Sequence, residues 1–399
     1  MGGGNKRYRI LAVGMIVMFV IGIIYAWSVL KVPLQEEFFW SASQLALNFT
    51  LMMCMFCIGG MVSGIILSKI PLRVILLLAG CAAFAGFFGA SKVDIHGITF
   101  LYLSYGILAG LGIGIGYNAV ISVINEWFPD KRGTSSGALM MSFGASALFF
   151  GKMADVMIGI AGWRKTYQLL GICCGVVLVL AAFIMGHPEA SMEKTGFTEK
   201  NDLRISGCTP KEMLSSPEFY RLFFFLVLAC AVGNSTISMA RDVAVDAGAD
   251  VKMASTMAGI LSLCNGCGRL FSGMMFDRCG QRKTMIMDGV ITMIAPVIMI
   301  IAIKEHSVLI CGIGLCITGL SYSFQPPVTS STVASIYGMK YFSINYSITN
   351  LLMIPASFVA TFVGIIYTKT NSFVGSFAVL FICAVLSFCL NLSIKDKKT

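Results

Sequence analysis

Arg269 raises the first chemical question. It lies eight residues, or about 12 Å of helix, before Asp277, inside an apolar run that ends at the polar loop beginning Asp277-Arg278. An ionised arginine so deep in a bilayer costs roughly 2.5 to 3.5 kcal/mol on insertion scales and must face a cavity or a partner. The acidic residues Glu126, Asp155, Asp277 and Asp288 are all expected nearer to helix ends. Arg269 is therefore expected to bind the carboxylate of a substrate rather than a structural partner.

A second pattern suits a different task. Gly273-x-x-x-Asp277-Arg278-x-Gly280-x-Arg282-Lys283 has a weaker copy in Gly64-x-x-x-Ser68-Lys69-x-Pro71-x-Arg73. A carboxylate at a helix end can pair with basic groups and face the N-terminus of a neighbouring helix, so these loops are expected to form gating latches, with Asp130 and Arg132 as further members. Ser68 and Pro71 depart from the stronger copy and put a full latch there in doubt. Cys264-x-x-Cys267 has no second pair and no nearby histidine, and the glycines from Gly112 to Gly116 have no preceding strand and no acidic ribose partner. Those glycines are expected to pack helices closely. No nucleophile and base pair, phosphate loop or metal cluster occurs at usable spacing, so no enzymatic activity, cofactor or metal is expected.

Such residues need a membrane to position them. Of 399 residues, 57% are hydrophobic and 12% charged, with a mean hydropathy of +0.84, against about 25% charged in soluble domains. The net charge of +10 sits mostly in short loops on one side, so no nucleic-acid partner is expected. The 14 cysteines lie mainly in apolar runs and read as small buried hydrophobes. A bilayer core of ~30 Å takes about 20 helical residues. Twelve runs qualify, near 8 to 32, 44 to 68, 73 to 92, 98 to 126, 134 to 160, 166 to 186, 218 to 240, 252 to 276, 282 to 303, 307 to 337, 341 to 368 and 371 to 393. The first lacks a small-x-small cleavage site and is expected to remain as a span.

Nineteen Lys and Arg fall in the loops that share a side with both termini, and nine in the opposite loops. Positive charge stays on the cytoplasmic side, so both termini are expected there, in a plasma (inner) membrane. The polar stretch from His187 to Pro217 divides the chain into a six-helix bundle over 1–186, a cytoplasmic linker over 187–217 and a second six-helix bundle over 218–399. Thr209-Pro210-Lys211-Glu212 predicts a short surface helix in the linker. The expected fold is all-α and integral to the membrane, with twelve transmembrane helices in two pseudo-symmetric six-helix bundles.

The paired loops, twelve spans and central linker resemble the major facilitator superfamily over essentially the whole chain. Within it, Gly112-x-Gly114-x-Gly116-Tyr117 and Trp127-Phe128-Pro129-Asp130-Lys131-Arg132-Gly133 look like the oxalate/formate antiporter family, distant relatives of monocarboxylate transporters. Tyr25-Ala26-Trp27 and Ser216-Pro217-Glu218-Phe219 extend the resemblance. It implies a secondary transporter that works by alternating access around a central anion site. It also implies pocket positions at Tyr25 and Tyr117, with Tyr322 a further match. Gln325, three residues after Tyr322 on a similar helix face, and Asn350, three before Met353, are added as binding candidates.

Oxalate-transporting members of the family add a lysine on the eleventh span to the arginine, and alignment through Asn345-Tyr346 puts Met353 at that position here. Two cations suit a dianion and one suits a monoanion. A small monocarboxylate of the formate, lactate or pyruvate type is therefore expected over oxalate, carried by a monomer in the lipid bilayer. The alternatives are a carrier of a neutral or cationic solute with a structural Arg269, and a non-transporting sensor or receptor on the same fold. No mid-membrane carboxylate is evident, so exchange or uniport is expected over proton symport. Pro326-Pro327 and Pro355 are expected to kink their helices.

Overall fold

No water reaches the core of a bilayer, so backbone N–H and C=O groups there must bond internally. In the computed structural model, which describes residues 2–94, 97–188 and 207–394, the described residues meet that demand with helices and no strands. The first half holds α1 (Gly2–Ile21), α2 (Ala42–Ile66), α3 (Leu72–Ala90), α4 (Gly110–Trp127), α5 (Arg132–Ala161) and α6 (Trp163–Ile184). After the short α7 (Pro210–Ser215) come α8 (Pro217–Asp246), α9 (Val251–Lys304), α10 (Val308–Tyr337), α11 (Phe342–Asn350), α12 (Met353–Thr370) and α13 (Phe373–Ser393). Large apolar side chains such as Leu309 and Phe358 are exposed at 76% and 70%, as lipid-facing residues are.

Eleven helical segments among the described residues are long and apolar enough to cross a membrane. One of them, within α9, is two spans. Gly280 interrupts it at φ 82 and ψ 168, and nothing lies within 4 Å of a Cβ built there. The backbone conformation, not lack of space, therefore requires the glycine. Its break separates the eighth and ninth expected spans, which makes twelve. The eleventh span is also interrupted, between α11 and α12. Pro355 cannot donate to the Leu351 carbonyl, which accepts from the Ile354 N–H instead, while the Leu352 N–H turns back to Thr349. α10, by contrast, runs through Pro326 and Pro327 unbroken. The Ser323 carbonyl that Pro327 leaves free accepts from Ser272 Oγ at 3.3 Å.

The glycine run packs helices on two faces. Gly106, Gly110 and Gly114 recur every four residues and bring their segment onto Asn48, Met52 and Phe56 of α2. Gly112 faces the other way, onto Ala79 and Ala83 of α3.

The chain divides into two compact units, one comprising the residues up to Pro129 with Ser142–Gly207 and Gly338–Ile348, the other Asp130–Met141, Cys208–Tyr337 and the residues from Thr349 on. This differs from a single cut at 187–217. Small residues are the reason. In the second unit Gly133 and Gly273 lie against each other's main chain and Gly137 against the Arg269 carbonyl, which holds the start of α5 on α9. In the first unit Gly64 lies against the main chain of Ser343 and Ile344, which holds α11 on α2. Most of the expected linker, residues 189–206, lies outside the described residues. The expected helix after it is α7, opened by a reciprocal capping box between Thr209 and Glu212.

Candidate substrate site and helix latches

In the first unit the chain builds an aromatic cluster. α1 ends in a tight turn over Gly22–Ala26, where Gly22 lies against the Phe143 carbonyl, and that close approach presents Tyr25 to α5. The Tyr25 and Phe143 rings are 5.4 Å apart. Tyr117 stands 5.1 Å from Phe143 and 5.0 Å from Phe56, and its hydroxyl is 3.4 Å from that of Tyr346. Tyr25 and Tyr117 are thus brought together through residues that the sequence reading did not select. Phe56 and Phe143 are anonymous phenylalanines in apolar runs. Tyr346 carried a signal, a hydroxyl inside an apolar span, but entered only as an alignment mark.

In the second unit Arg269 is 6% exposed. Its Nη1 donates to the Met140 carbonyl at 2.9 Å, and its buried Nε has no hydrogen-bond partner. Among the described residues it makes no ion pair. Tyr322 is buried with its ring against Gly233 of α8. Gln325 is buried too, and its Nε2 donates to Asp288 at 2.6 Å. Asp288, expected with the carboxylates near helix ends, is 1% exposed. Its side chain lies on the face of the ninth span that packs against α10, where Gln325 meets it. Asn350 and Met353 are half-buried and lie on either side of the break in the eleventh span, at the end of α11 and the start of α12.

Asp277 meets a helix N-terminus. Its Oδ1 accepts from the Gly133 N–H at 2.8 Å, and its Oδ2 from the Thr134 N–H at 2.7 Å and the Thr134 hydroxyl at 2.6 Å. Both donors belong to the first turn of α5, where backbone N–H groups lack helical partners. Gly273 is buried one turn earlier against Gly133. Arg282 does something else. It donates to the carbonyls of Asn391, Leu392 and Ile394 at 2.7, 3.0 and 3.0 Å, which caps the C-terminus of α13. Lys69, Arg278, Asp130 and Gly280 are exposed, and Arg132 is half-buried. Arg73 places its guanidinium 4.0 Å from the Phe183 ring. Ser68 returns its hydroxyl to the Ile65 carbonyl at 3.2 Å.

Paired glycine crossings, a carboxylate on a helix N-terminus and twelve spans form the frame in which the comparisons with known proteins fall. The Major Facilitator Superfamily model matches residues 10–240, and the model for sugar (and other) transporters matches 221–396. The chain belongs to the major facilitator superfamily. As a member of it, the protein is a multi-pass membrane transporter. It is similar to the oxalate:formate antiporter of Oxalobacter formigenes, 27% identical over 86% of this chain and 80% of that one. It is also similar to human monocarboxylate transporter 1, 26% identical over 44% of this chain and 38% of that one. The solved structure of the proton:xylose symporter XylE bound to 6-bromo-6-deoxy-D-glucose matches with a TM-score of 0.79 at 14% identity, covering 99% of this chain and 97% of that one. At that identity the likeness shows the major facilitator fold alone.

Proposed function

We propose that this superfamily member moves a small carboxylate anion by alternating access, and that the anion is a monocarboxylate of the formate, lactate or pyruvate type rather than oxalate. Arg269 carries the reading. It is a buried guanidinium without an ion pair among the described residues and with a donor to spare, and a carboxylate ligand would offset the cost of leaving it so. Met353, where oxalate-transporting relatives are expected to carry a lysine, leaves one cation for one negative charge. Tyr25 and Tyr117 are proposed to supply apolar walls and hydroxyl donors. The Asp277 cap on α5 is proposed to act as a latch, since its three bonds are lost when that helix end moves away. The loop charges support cytoplasmic termini.

Counterflow in liposomes tests the reading, with labelled formate, lactate and pyruvate competed by oxalate and malonate. Monoanions should exchange and compete best. A preference for oxalate would overturn the charge assignment. Flux of a neutral or cationic solute that survives Arg269→Ala would make Arg269 structural, and ligand binding without flux of any solute would favour a sensor.

A further inference from the structure

We propose that Asp288 is a reversible proton-binding site, held by Gln325 and a Thr292–Ser321 hydroxyl pair, and that it couples substrate movement to a proton. The coupling half rests on the proposed carboxylate transport. Asp288 lies about 12 Å of helix beyond Gly280 and is almost fully buried. Gln325 Nε2 donates to its Oδ2 at 2.6 Å, and Thr292 Oγ1 donates to its Oδ1 at 3.3 Å. Thr292 also hydrogen-bonds Ser321, one turn before Gln325 on α10. Four polar side chains from α9 and α10 therefore converge in an otherwise apolar interior.

Among the described residues Asp288 makes no ion pair. From α8, the Cys230 thiol lies within electrostatic reach of both Asp288 and Arg269. From α13, Phe388 and Asn391 lie against the neighbouring Gly289, and the Asn391 amide is committed to the Met285 carbonyl. α10 contributes Ser321 and Gln325, with the Tyr322 ring turned to Gly233. On α9 itself, Arg282 is committed to the carbonyls that end α13. An ionised carboxylate with only neutral donors is costly in such surroundings.

A second feature points the same way. Gln325 Oε1 is buried with no hydrogen-bond partner. A neutral Asp288 carboxyl can donate its O–H to Gln325 Oε1 after a half-turn of the amide, and Thr292 can still donate to the other oxygen. The step is a transfer from hydronium to the carboxylate, giving carboxylic acid and water. Asp288 and Arg269 share the Cys230 neighbour, so an anion that neutralises the guanidinium removes a charge favouring the ionised carboxylate, and loading the substrate favours loading the proton. This departs from the expectation of exchange or uniport, which rested on the absence of a mid-membrane carboxylate.

The test begins without substrate. Infrared difference spectra of the full chain in lipid, recorded across the pH range in which the protein stays folded, should show a carboxylic-acid C=O band that appears and disappears reversibly with pH. The band should vanish in Asp288→Asn, change frequency in Gln325→Ala, and persist at a new frequency in Asp288→Glu should the asparagine variant not fold. A wild-type spectrum without such a band overturns the site, and suppression of the band by sodium but not by choline overturns it in favour of a metal cation.

In liposomes with an alkaline interior, labelled lactate should accumulate above protein-free vesicles, and an entrapped pH dye should record proton entry. In Asp288→Asn, accumulation should be lost down to the level without a gradient. Carboxylate flux without proton entry overturns the coupling. A titrating band with no carboxylate counterflow instead overturns the proposed substrate class and leaves the proton site standing.

Discussion

The start of α5 on α9, in the second unit, and α11 on α2, in the first, use the same small residues but different bonds. Glycine removes the side chain at both crossings, at Gly133, Gly137 and Gly273 in one and at Gly60 and Gly64 in the other. On α9 a carboxylate then takes three donors from a helix start. On α2 the corresponding Ser68 bonds back to its own helix, and neutral groups make the contact. Asn118 Nδ2 reaches the Gly60 carbonyl, the Ser343 carbonyl and Ser343 Oγ at 3.0, 3.3 and 2.8 Å, and Ser347 Oγ donates to Gly60 at 2.8 Å. Hydrogen bonds to a charge are worth about 1.5 to 3 kcal/mol and neutral ones about 0.5 to 1.5. Shape is thus common to both crossings, while charge is confined to one.

The largest expected effect comes from a residue that only the second crossing contains. Arg269 gives its carbonyl to the Gly137 contact and its guanidinium to Met140. Arg269→Ala should abolish carboxylate counterflow and leave the melting temperature unchanged or raised, because an uncompensated buried cation is removed. Uptake and melting are measured on the same preparation. Normal uptake, or unfolding in place of a binding defect, would reduce Arg269 to a packing residue and make the crossings more alike.

Next come the glycines. A Cβ at Gly133 would overlap the Gly273 carbonyl, and one at Gly64 the Ile344 main chain. Gly133→Val and Gly64→Val should each destabilise by about 1 to 3 kcal/mol, the usual cost of overpacking. Thermal melts in matched detergent check this. A silent result at either position would mean that shape is not common to the two units.

The repeat was legible as a repeat because glycine, aspartate and arginine recur at fixed offsets, and the spans were legible because apolar runs of this length have few other uses. What the Asp277 carboxylate faces was not, since Gly133 and Thr134 lie more than a hundred residues away. Arg282 read as part of the latch because it shares a loop with Asp277, yet it bonds to carbonyls that a sequence cannot place. The burial of Asp288 was not legible, because it follows from a contact with Gln325, 37 residues on, that a span count does not show. The Tyr25 and Tyr117 positions came through family resemblance, and the phenylalanines that join them have no sequence mark.

A smaller effect should follow from moving the charge. Asp277→Asn should speed hydrogen–deuterium exchange at the Gly133 and Thr134 amides, with a loss of about 1 kcal/mol at this exposed helix start. Amides at the start of α11 should not change. Ser68→Asp should slow exchange at the start of α11 by introducing the missing carboxylate, with a gain of about 0.3 to 1 kcal/mol. Equal responses of both helix starts to either variant would remove the distinction between a charged and a neutral crossing.

The smallest expected effect uses pH to address one unit alone. Past α6, His187 Nδ1 lies 2.6 Å from Glu126 Oε2, beside the bond from Trp127 Nε1 to the Gly186 carbonyl at 2.7 Å. The hydrogen bond to Glu126 pushes the His187 pKa above its usual value, with burial opposing and the Glu126 charge reinforcing. A raised folded-state pKa means that the protonated form is the stabilising one. The contribution is therefore complete below about pH 6.5, the ordinary histidine value, and is lost as pH rises through the folded-state value. With side chains 46% and 33% exposed, solvent screening keeps it below about 1 kcal/mol. Exchange protection of the Trp127 and Phe128 amides, corrected for intrinsic rates, should fall over that window, and His187→Gln should flatten the fall. The Gly133 and Thr134 amides, which bond to Asp277 and no histidine, are the internal reference. If they lose protection in parallel, the pH response is global and His187 is not its origin.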